Sequence, residues 1–228
     1  MGLINMGVPR EFTMFLKDAF KSNVFIETGT YYGETALWAS QYFKKVHTIE
    51  LSEPLYTGTS KKYENVSNIN FHFGDTRVLL NKILLEEDAD QKIILWLDAH
   101  WSSENTYGEN DQCPLLKELE VLANCKQQVC ILIDDARLFT APPPIPNDYR
   151  QYPCIQQIVN AFNDDVFITI YADVIIIVPA YLKDTCQQYL QTKTTTDWLE
   201  YAKEIKRNQP GVLKNMLRKL KNKIINRK

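Results

Sequence analysis

The sequence is short of the features that staple small or secreted domains together. Its 228 residues hold five cysteines (Cys113, Cys125, Cys130, Cys154 and Cys186), an odd number with no Cys-x-x-Cys spacing. That argues against a disulfide framework and against a structural zinc site, and for a reducing compartment. "MGLINMGVPREF" at the start lacks the basic residues and continuous apolar stretch of a secretory leader. Its Met-Gly opening lacks the Ser or Thr that myristoylation needs at the sixth position, where Met6 stands. No apolar run approaches the roughly 20 residues of a membrane span. A cytoplasmic protein is therefore expected. Internal repeats and low-complexity segments are missing too. The length suits one α/β domain with an appendage, large enough to bury a core without disulfides or metals.

Alternating strand-like and helix-like stretches fill most of the chain. "VPREFTMFLKDAFKS" predicts an opening amphipathic helix with Pro9 in its first turn. Strands are expected at "NVFIET", "KVHTIEL", "NINFHFGD", "KIILWLDA" and "QVCILIDDA", with helices at "GETALWASQYF", "EPLYTGTSKKYEN", "TRVLLNKILLEE", "CPLLKELEVLAN" and "CIQQIVNAF". The proline-rich "LFTAPPPIPNDYRQYP" is expected to be loop throughout. "VFITIYADVIIIVP" predicts two strands joined at Ala172-Asp173. Alternation implies βαβ units and a mostly parallel sheet, whereas strands with almost nothing between them must run antiparallel. Five parallel strands and a closing hairpin are thus expected.

In a doubly wound sheet the ligand sits beyond the carboxyl ends of the strands. Here those ends read Glu27-Thr28-Gly29, Glu50, Gly74-Asp75-Thr76, Asp98-Ala99-His100 and Asp134-Asp135, so every one carries an acid. The first turn, "ETGTYYGET", has Gly29 and Gly33, with Tyr31 where a dinucleotide site has its middle glycine. No Lys-Ser/Thr follows, so a P-loop is excluded, and a cofactor without a pyrophosphate suits the turn better. A structural tight turn is the other reading. Glu50 lies about twenty residues further on, where a carboxylate accepts ribose hydroxyls; a solvated acid is its bland alternative. Asp75 suits an adenine amine, a helix N-cap at Thr76, or both.

These stretches resemble the class I S-adenosylmethionine-dependent methyltransferases. "ETGTYYGETAL" is similar to the first motif of the catechol and caffeoyl-CoA type O-methyltransferases, "TIEL" to their ribose-binding strand end and "GDT" to their adenine-side motif. The resemblance spans Val24 to Pro179. It implies a Rossmann-like, doubly wound, mostly parallel seven-stranded sheet with a C-terminal antiparallel hairpin, flanked by an N-terminal helix and a basic C-terminal helix. It implies S-adenosylmethionine as cofactor, held by Glu27, Gly29, Tyr31, Gly33, Glu50, Asp75, Thr76 and Asp98. "WLDAHW" and "ILIDDAR" are similar to the metal-site motifs of the cation-dependent branch, which includes bacterial sugar O-methyltransferases. Carried over, Asp98, Asp134 and Asp135 would ligate one Mg²⁺ or Mn²⁺, as oxygen-only ligands suit. Without a cation, three crowded acids should raise one another's pKa values. His100 would be the general base, or alternatively would orient Asp98; His47 and His72, inside strands, are expected to be packed or solvent-facing.

The expected function is therefore O-methylation of a hydroxyl on a small molecule or glycan, a sugar being favoured by the resemblance. A metal-independent methyltransferase and a noncatalytic protein with the cofactor fold are the rivals; a nicotinamide dehydrogenase is disfavoured by Tyr31 and the hairpin. The loops "WSSENTYGENDQ" and "LFTAPPPIPNDYRQY" would cover the site, with Tyr107, Arg137, Tyr149 and Arg150 as candidate acceptor contacts, Arg137 being equally suited to pairing with an acid. The methyltransferase domain is placed at residues 1–190, with a helical extension at 191–228. From Lys203 to Lys228 ten Lys and Arg face the single acid Glu204. Such a helix suits an anionic membrane surface, its own domain, or a partner copy in a homodimer. Nucleic acid is not expected, since the rest of the chain is acidic and the tail lacks interleaved aromatics.

Overall fold

The computed structural model describes residues 7–101, 111–163 and 165–208. Tyr107 with most of its loop, and the basic tail from residue 209, lie outside the described residues. The chain divides into two compact units, Met1–Lys183 and Asp184–Lys228.

The first unit opens with α1 (Arg10–Phe20), which follows Pro9 and ends where Lys21 turns left-handed at φ 60°. Pro9 therefore sits at the N-cap, one residue before the first turn in which it was expected. Strands and helices then alternate: β1 (Val24–Thr28), α2 (Glu34–Ser40), β2 (Lys45–Glu50), α3 (Glu53–Lys62), β3 (Ile69–Phe73), α4 (Thr76–Glu86), β4 (Lys92–Leu97), α5 (Leu115–Ala123) and β5 (Gln128–Ile133). α6 (Arg137–Thr140), α7 (Ile155–Asn160), β6 (Val166–Tyr171) and β7 (Val174–Pro179) complete it. α8 (Lys183–Asn208) leads into the second unit.

The seven strands form one sheet in the order β3-β2-β1-β4-β5-β7-β6, with β7 antiparallel to both neighbours and every other pairing parallel. The expected doubly wound sheet with a terminal hairpin is what the chain forms. β1 is central, Phe25 lying beside Val46 on one side and Ile94 on the other. All five of its residues are buried, as a parallel strand covered on both faces requires. Val24 and Ile26 pack with Leu80, Leu119 and Ile158 of α4, α5 and α7. Phe25 points the other way, onto Trp38 of α2 and Phe43. The sheet is thus lined with helices on both faces.

One expectation fails locally. The proline-rich stretch is not loop throughout: α6 occupies its start, and a short 3-10 turn forms at Tyr149–Gln151. Asp135 reverses the backbone at φ 55°, Ala136 N donates to Asp173 O at 2.8 Å, and Leu138 and Phe139 are buried. Those tertiary contacts hold a helix too short to have a period of its own.

Candidate functional site

Order reverses between β1 and β4, and the crevice at the carboxyl ends of these strands is where ligands bind in such sheets. A cavity of about 320 Å³ lies there, lined by Gly29, Tyr31, Ile49, Glu50, Leu51, Asp75, Thr76, Arg77, Asp98, His100, Asp111, Asp134, Asp135 and Arg137 among others. Its size falls within the range of small-molecule sites. Ten residues singled out in the sequence, Arg137 among them, therefore meet on one cavity.

Each is held by its element's end. Gly29, at φ 86°, leaves β1 so close to β4 that a Cβ would lie 2.4 Å from the Asp98 carbonyl oxygen. Gly33, at φ 72°, lies against Thr59 and Tyr63, where a Cβ would come within 2.6 Å of the Thr59 methyl. Between them Tyr31 adopts φ 48°. Its N–H donates to Glu50 Oε2 at 2.9 Å, and its carbonyl accepts from Thr59 Oγ1 at 2.9 Å. Glu50 Oε1 accepts from Ser52 N at 2.8 Å, so both carboxylate oxygens are fixed while the side chain borders the cavity.

Two expected cofactor residues stand back from this lining. Gly33 is part of the turn's packing against α3. Glu27 is buried beneath the turn, where it accepts a 2.7 Å hydrogen bond from Thr48, itself paired with Thr30 at 2.6 Å. Burial pushes the Glu27 carboxyl up to about 8, against the hydrogen bond from Thr48.

Asp75 is the N-cap of α4, accepting from Arg77 N at 2.9 Å. Its oxygens are also gripped by the Arg77 guanidinium, which reaches on to Asp111. Arg77's hydrogen bonds hold the Asp75 carboxyl below its ordinary value. Arg77 and Asp111 were not singled out in the sequence; the only signal was Arg77's place two residues after a capping acid.

Asp98, His100, Asp134 and Asp135 form the opposite wall. His100 Nε2 lies 2.9 Å from Asp135 Oδ2, and Nδ1 lies 3.8 Å from Asp98 Oδ1. Arg137 reaches Asp135 Oδ1 at 2.7 Å and also grips Asp173 in the β6–β7 turn. Burial raises Asp98 to about 7, with Asp134 and Asp135 adding to it and His100 opposing. Burial likewise raises Asp134 to about 6, Asp135 adding its repulsion. Asp135 goes the other way. Burial works to raise it, yet the hydrogen bond and charge of His100 and the charge of Arg137 hold it low. Burial alone would lower His100, but Asp135 and Asp98 prevail and raise it. The mutual raising expected of the three acids is thus limited to two.

The trio does not fit a divalent ion as arranged. Both oxygens of Asp135 are already engaged, one by the His100 ring and the other by the Arg137 guanidinium, and among the described residues no three His, Cys, Asp or Glu side chains converge as a metal site would. Tyr149 and Arg150 do not line the cavity, and Arg150 pairs with Asp148. His47 and His72 are packed together, His47 Nδ1 lying 2.9 Å from His72 Nε2 and His47 Nε2 lying 3.1 Å from Glu87.

No protein-family model matches the sequence, nor does any curated protein. Solved structures do match. A protein from Staphylococcus aureus, classed as a caffeoyl-CoA O-methyltransferase, aligns over 78% of this chain and 86% of its own, with TM-score 0.54 and 10% identity. Another from Klebsiella pneumoniae, classed as an O-methyltransferase, aligns over 78% and 84%, with TM-score 0.50 and 14% identity. At such identities the likeness is one of fold: the chain carries the Rossmann-like methyltransferase fold.

Proposed function

We propose that the protein is an S-adenosylmethionine-dependent O-methyltransferase acting on a hydroxyl of a small molecule or glycan. The observation that carries this reading is the meeting of the Gly29–Tyr31 turn, Glu50 and His100 on one cavity at the switch in strand order. The donor set suits the cofactor. Glu50 accepts one backbone N–H at each oxygen and keeps lone pairs for two ribose hydroxyls. Ile49 and Leu51 offer apolar surface beside it.

Bound S-adenosylmethionine supplies a methyl group on a sulfonium, an electrophile that needs no further activation. The chain's task is alignment and proton removal. His100 Nε2–H donates to Asp135, which leaves Nδ1 as the nitrogen able to accept a proton. The acceptor hydroxyl would lose its proton to Nδ1 as its oxygen bonds to the methyl carbon and the carbon–sulfur bond breaks, leaving a neutral thioether. A sugar acceptor is favoured by the resemblance of "WLDAHW" and "ILIDDAR" to bacterial sugar O-methyltransferases.

No step is assigned to a divalent cation. One would have to draw Asp135 from His100 and Arg137, and the base would lose its orienting partner. The raised carboxyls of Asp98 and Asp134 favour a second reading, in which a cation settles between them.

Calorimetric titration of the protein with S-adenosylmethionine tests the proposal. Saturable binding is expected, weakened about 10- to 100-fold by Glu50→Ala, as loss of hydrogen bonds to a charged group predicts. His100→Ala should leave that affinity intact and slow methyl transfer about 10²- to 10⁴-fold. Absence of cofactor binding would overturn the proposal. EDTA is expected to change neither binding nor transfer; a Mg²⁺ heat lost in Asp134→Ala would establish the second reading.

A further inference from the structure

We infer that Arg77 is a positioning residue that sets which base the cavity accepts, acting through Asp75 and anchored on Asp111. The inference rests on the cofactor reading above, in which Glu50 meets the ribose.

A ribose on Glu50 turns its base towards β3. The β1 side of Glu50 is taken by the Tyr31 turn, whose N–H holds Oε2 at 2.9 Å. On the other side Glu50 pairs in register with Phe73 of the edge strand β3, and Gly74 N donates to the Glu50 carbonyl at 2.9 Å. Asp75, two residues beyond Phe73, lines the same cavity, and Ile49 and Leu51 supply apolar surface for the faces of a base. The edge of that base therefore comes to the Asp75 carboxylate.

What the carboxylate can offer is decided by Arg77. Oδ1 accepts from Arg77 N and Nε, both at 2.9 Å, and Oδ2 accepts from Nη2 at 2.6 Å, with Nε shared at 3.0 Å. An ionised carboxylate has about four acceptor positions. Oδ1 is thus full, and Oδ2 keeps one lone pair. That pair takes an N–H of an exocyclic amine and repels a carbonyl oxygen. Arg77's hydrogen bonds also hold the carboxyl below its ordinary value, which keeps it an acceptor only.

The backbone cap alone would let the carboxylate turn, whereas the planar fork of the guanidinium fixes it. The fork is itself tied down: Nη1 donates to Asp111, 34 residues further along the chain, so the strap joins the start of α4 to the segment ahead of α5. A group held at both ends has little freedom left to lose when a ligand arrives. A site built around such a fixed acceptor rejects an analogue that lacks the matching N–H.

Calorimetry of the full chain tests this, with S-adenosylhomocysteine and S-inosylhomocysteine as separate titrants. The inosine form carries a carbonyl oxygen where adenine carries its amine. The parent is expected to prefer the adenine form about 30-fold, within the cost of leaving a charged acceptor unpaired. In Arg77→Met the preference should fall to about threefold, because the carboxylate is free to turn. A merely structural role would weaken both ligands alike and leave their ratio standing. Asp111→Ala alters an exposed side chain, keeps Arg77 and removes its far anchor; there the preference should fall to about tenfold. Should Arg77→Met fail to fold, the Asp111 variant decides. A parent-like ratio in the variant that decides would overturn the inference, as would a parent with no preference, and both leave the cofactor reading intact. A fall in Arg77→Met with none in Asp111→Ala would overturn the anchoring role of Asp111. If neither compound binds, the cofactor reading falls and this inference with it.

Discussion

Gly29 shows how much of the site hangs on single residues. Its φ of 86° is one that an L side chain enters at a cost, and its missing Cβ leaves room for the Asp98 carbonyl. Gly29→Ala has to push β1 from β4 at the edge of the cavity, where the proposed cofactor and base would meet. A loss of roughly 2–4 kcal/mol in urea unfolding is expected from strain and steric conflict together. Parent-like stability in that variant would show that the turn yields. Glu27 makes a different prediction. Its carboxyl has an ordinary value of 4.5 and a folded value of about 8, so the folded state binds the extra proton between those limits. The stability tied to that proton is full below 4.5 and is lost as pH rises through about 8. Glu27→Gln keeps an acceptor for Thr48 and removes the charge, so its advantage over the parent should grow across that window. Thermal unfolding at pH 5, 7 and 9 checks this, and parallel curves for the two proteins would count against it. Gly29 and Glu50 were legible in the sequence because strand ends and turn glycines carry local signals. Arg77 and Asp111 were not, since their pairing joins two segments far apart in the chain.

Elements repeat the lesson at longer range. The buried strands were legible because a parallel strand covered on both faces is a continuous apolar run, as in β4 and β5. The hairpin was legible because two residues leave no room for a crossover. Its turn residues Ala172 and Asp173 adopt φ 50° and 68°, the left-handed pair that two-residue hairpin loops favour. Alanine is a poor choice there. Ala172→Gly should stabilise the protein by about 1 kcal/mol, the cost of a left-handed L residue, read as a shift in urea midpoint at constant slope. No shift would mean that the loop gains from alanine's reduced freedom in the unfolded chain. Asp173 is not free to change in the same way. Its carbonyl accepts from Ala136 N and its carboxylate from Arg137 N at 2.9 Å, so it caps α6 from the turn of the neighbouring hairpin. That contact is why α6 exists, and why a proline-rich stretch read by itself gave no sign of it.

For the whole molecule, the charge pattern was plain in the sequence and its use was not. The chain is −2 overall and residues 203–228 carry +9, so residues 1–202 carry −11. In α8, just ahead of that tail, Trp198, Leu199 and Tyr201 are exposed, with the rings of Trp198 and Tyr201 5.9 Å apart. Aromatic residues of this kind settle at the level of lipid headgroups, and clustered Lys and Arg are drawn to anionic lipid by about 1 kcal/mol each near the surface. Among the described residues no helix is long and apolar enough to cross a membrane. An acidic body opposes the same surface that a basic tail seeks, and the two scale differently with salt. Charges within a Debye length of the lipid act, and the rest are screened. The full chain is therefore expected to sediment with vesicles containing phosphatidylserine at about 0.15 M salt, where the Debye length is about 8 Å. It should remain in the supernatant with phosphatidylcholine alone, and Trp198→Ala should weaken the association without abolishing it. Binding that persists at 1 M salt would assign the contact to apolar insertion. Failure to bind at any salt would leave the tail for its own domain or a second copy, which sedimentation equilibrium at low and high salt would then separate.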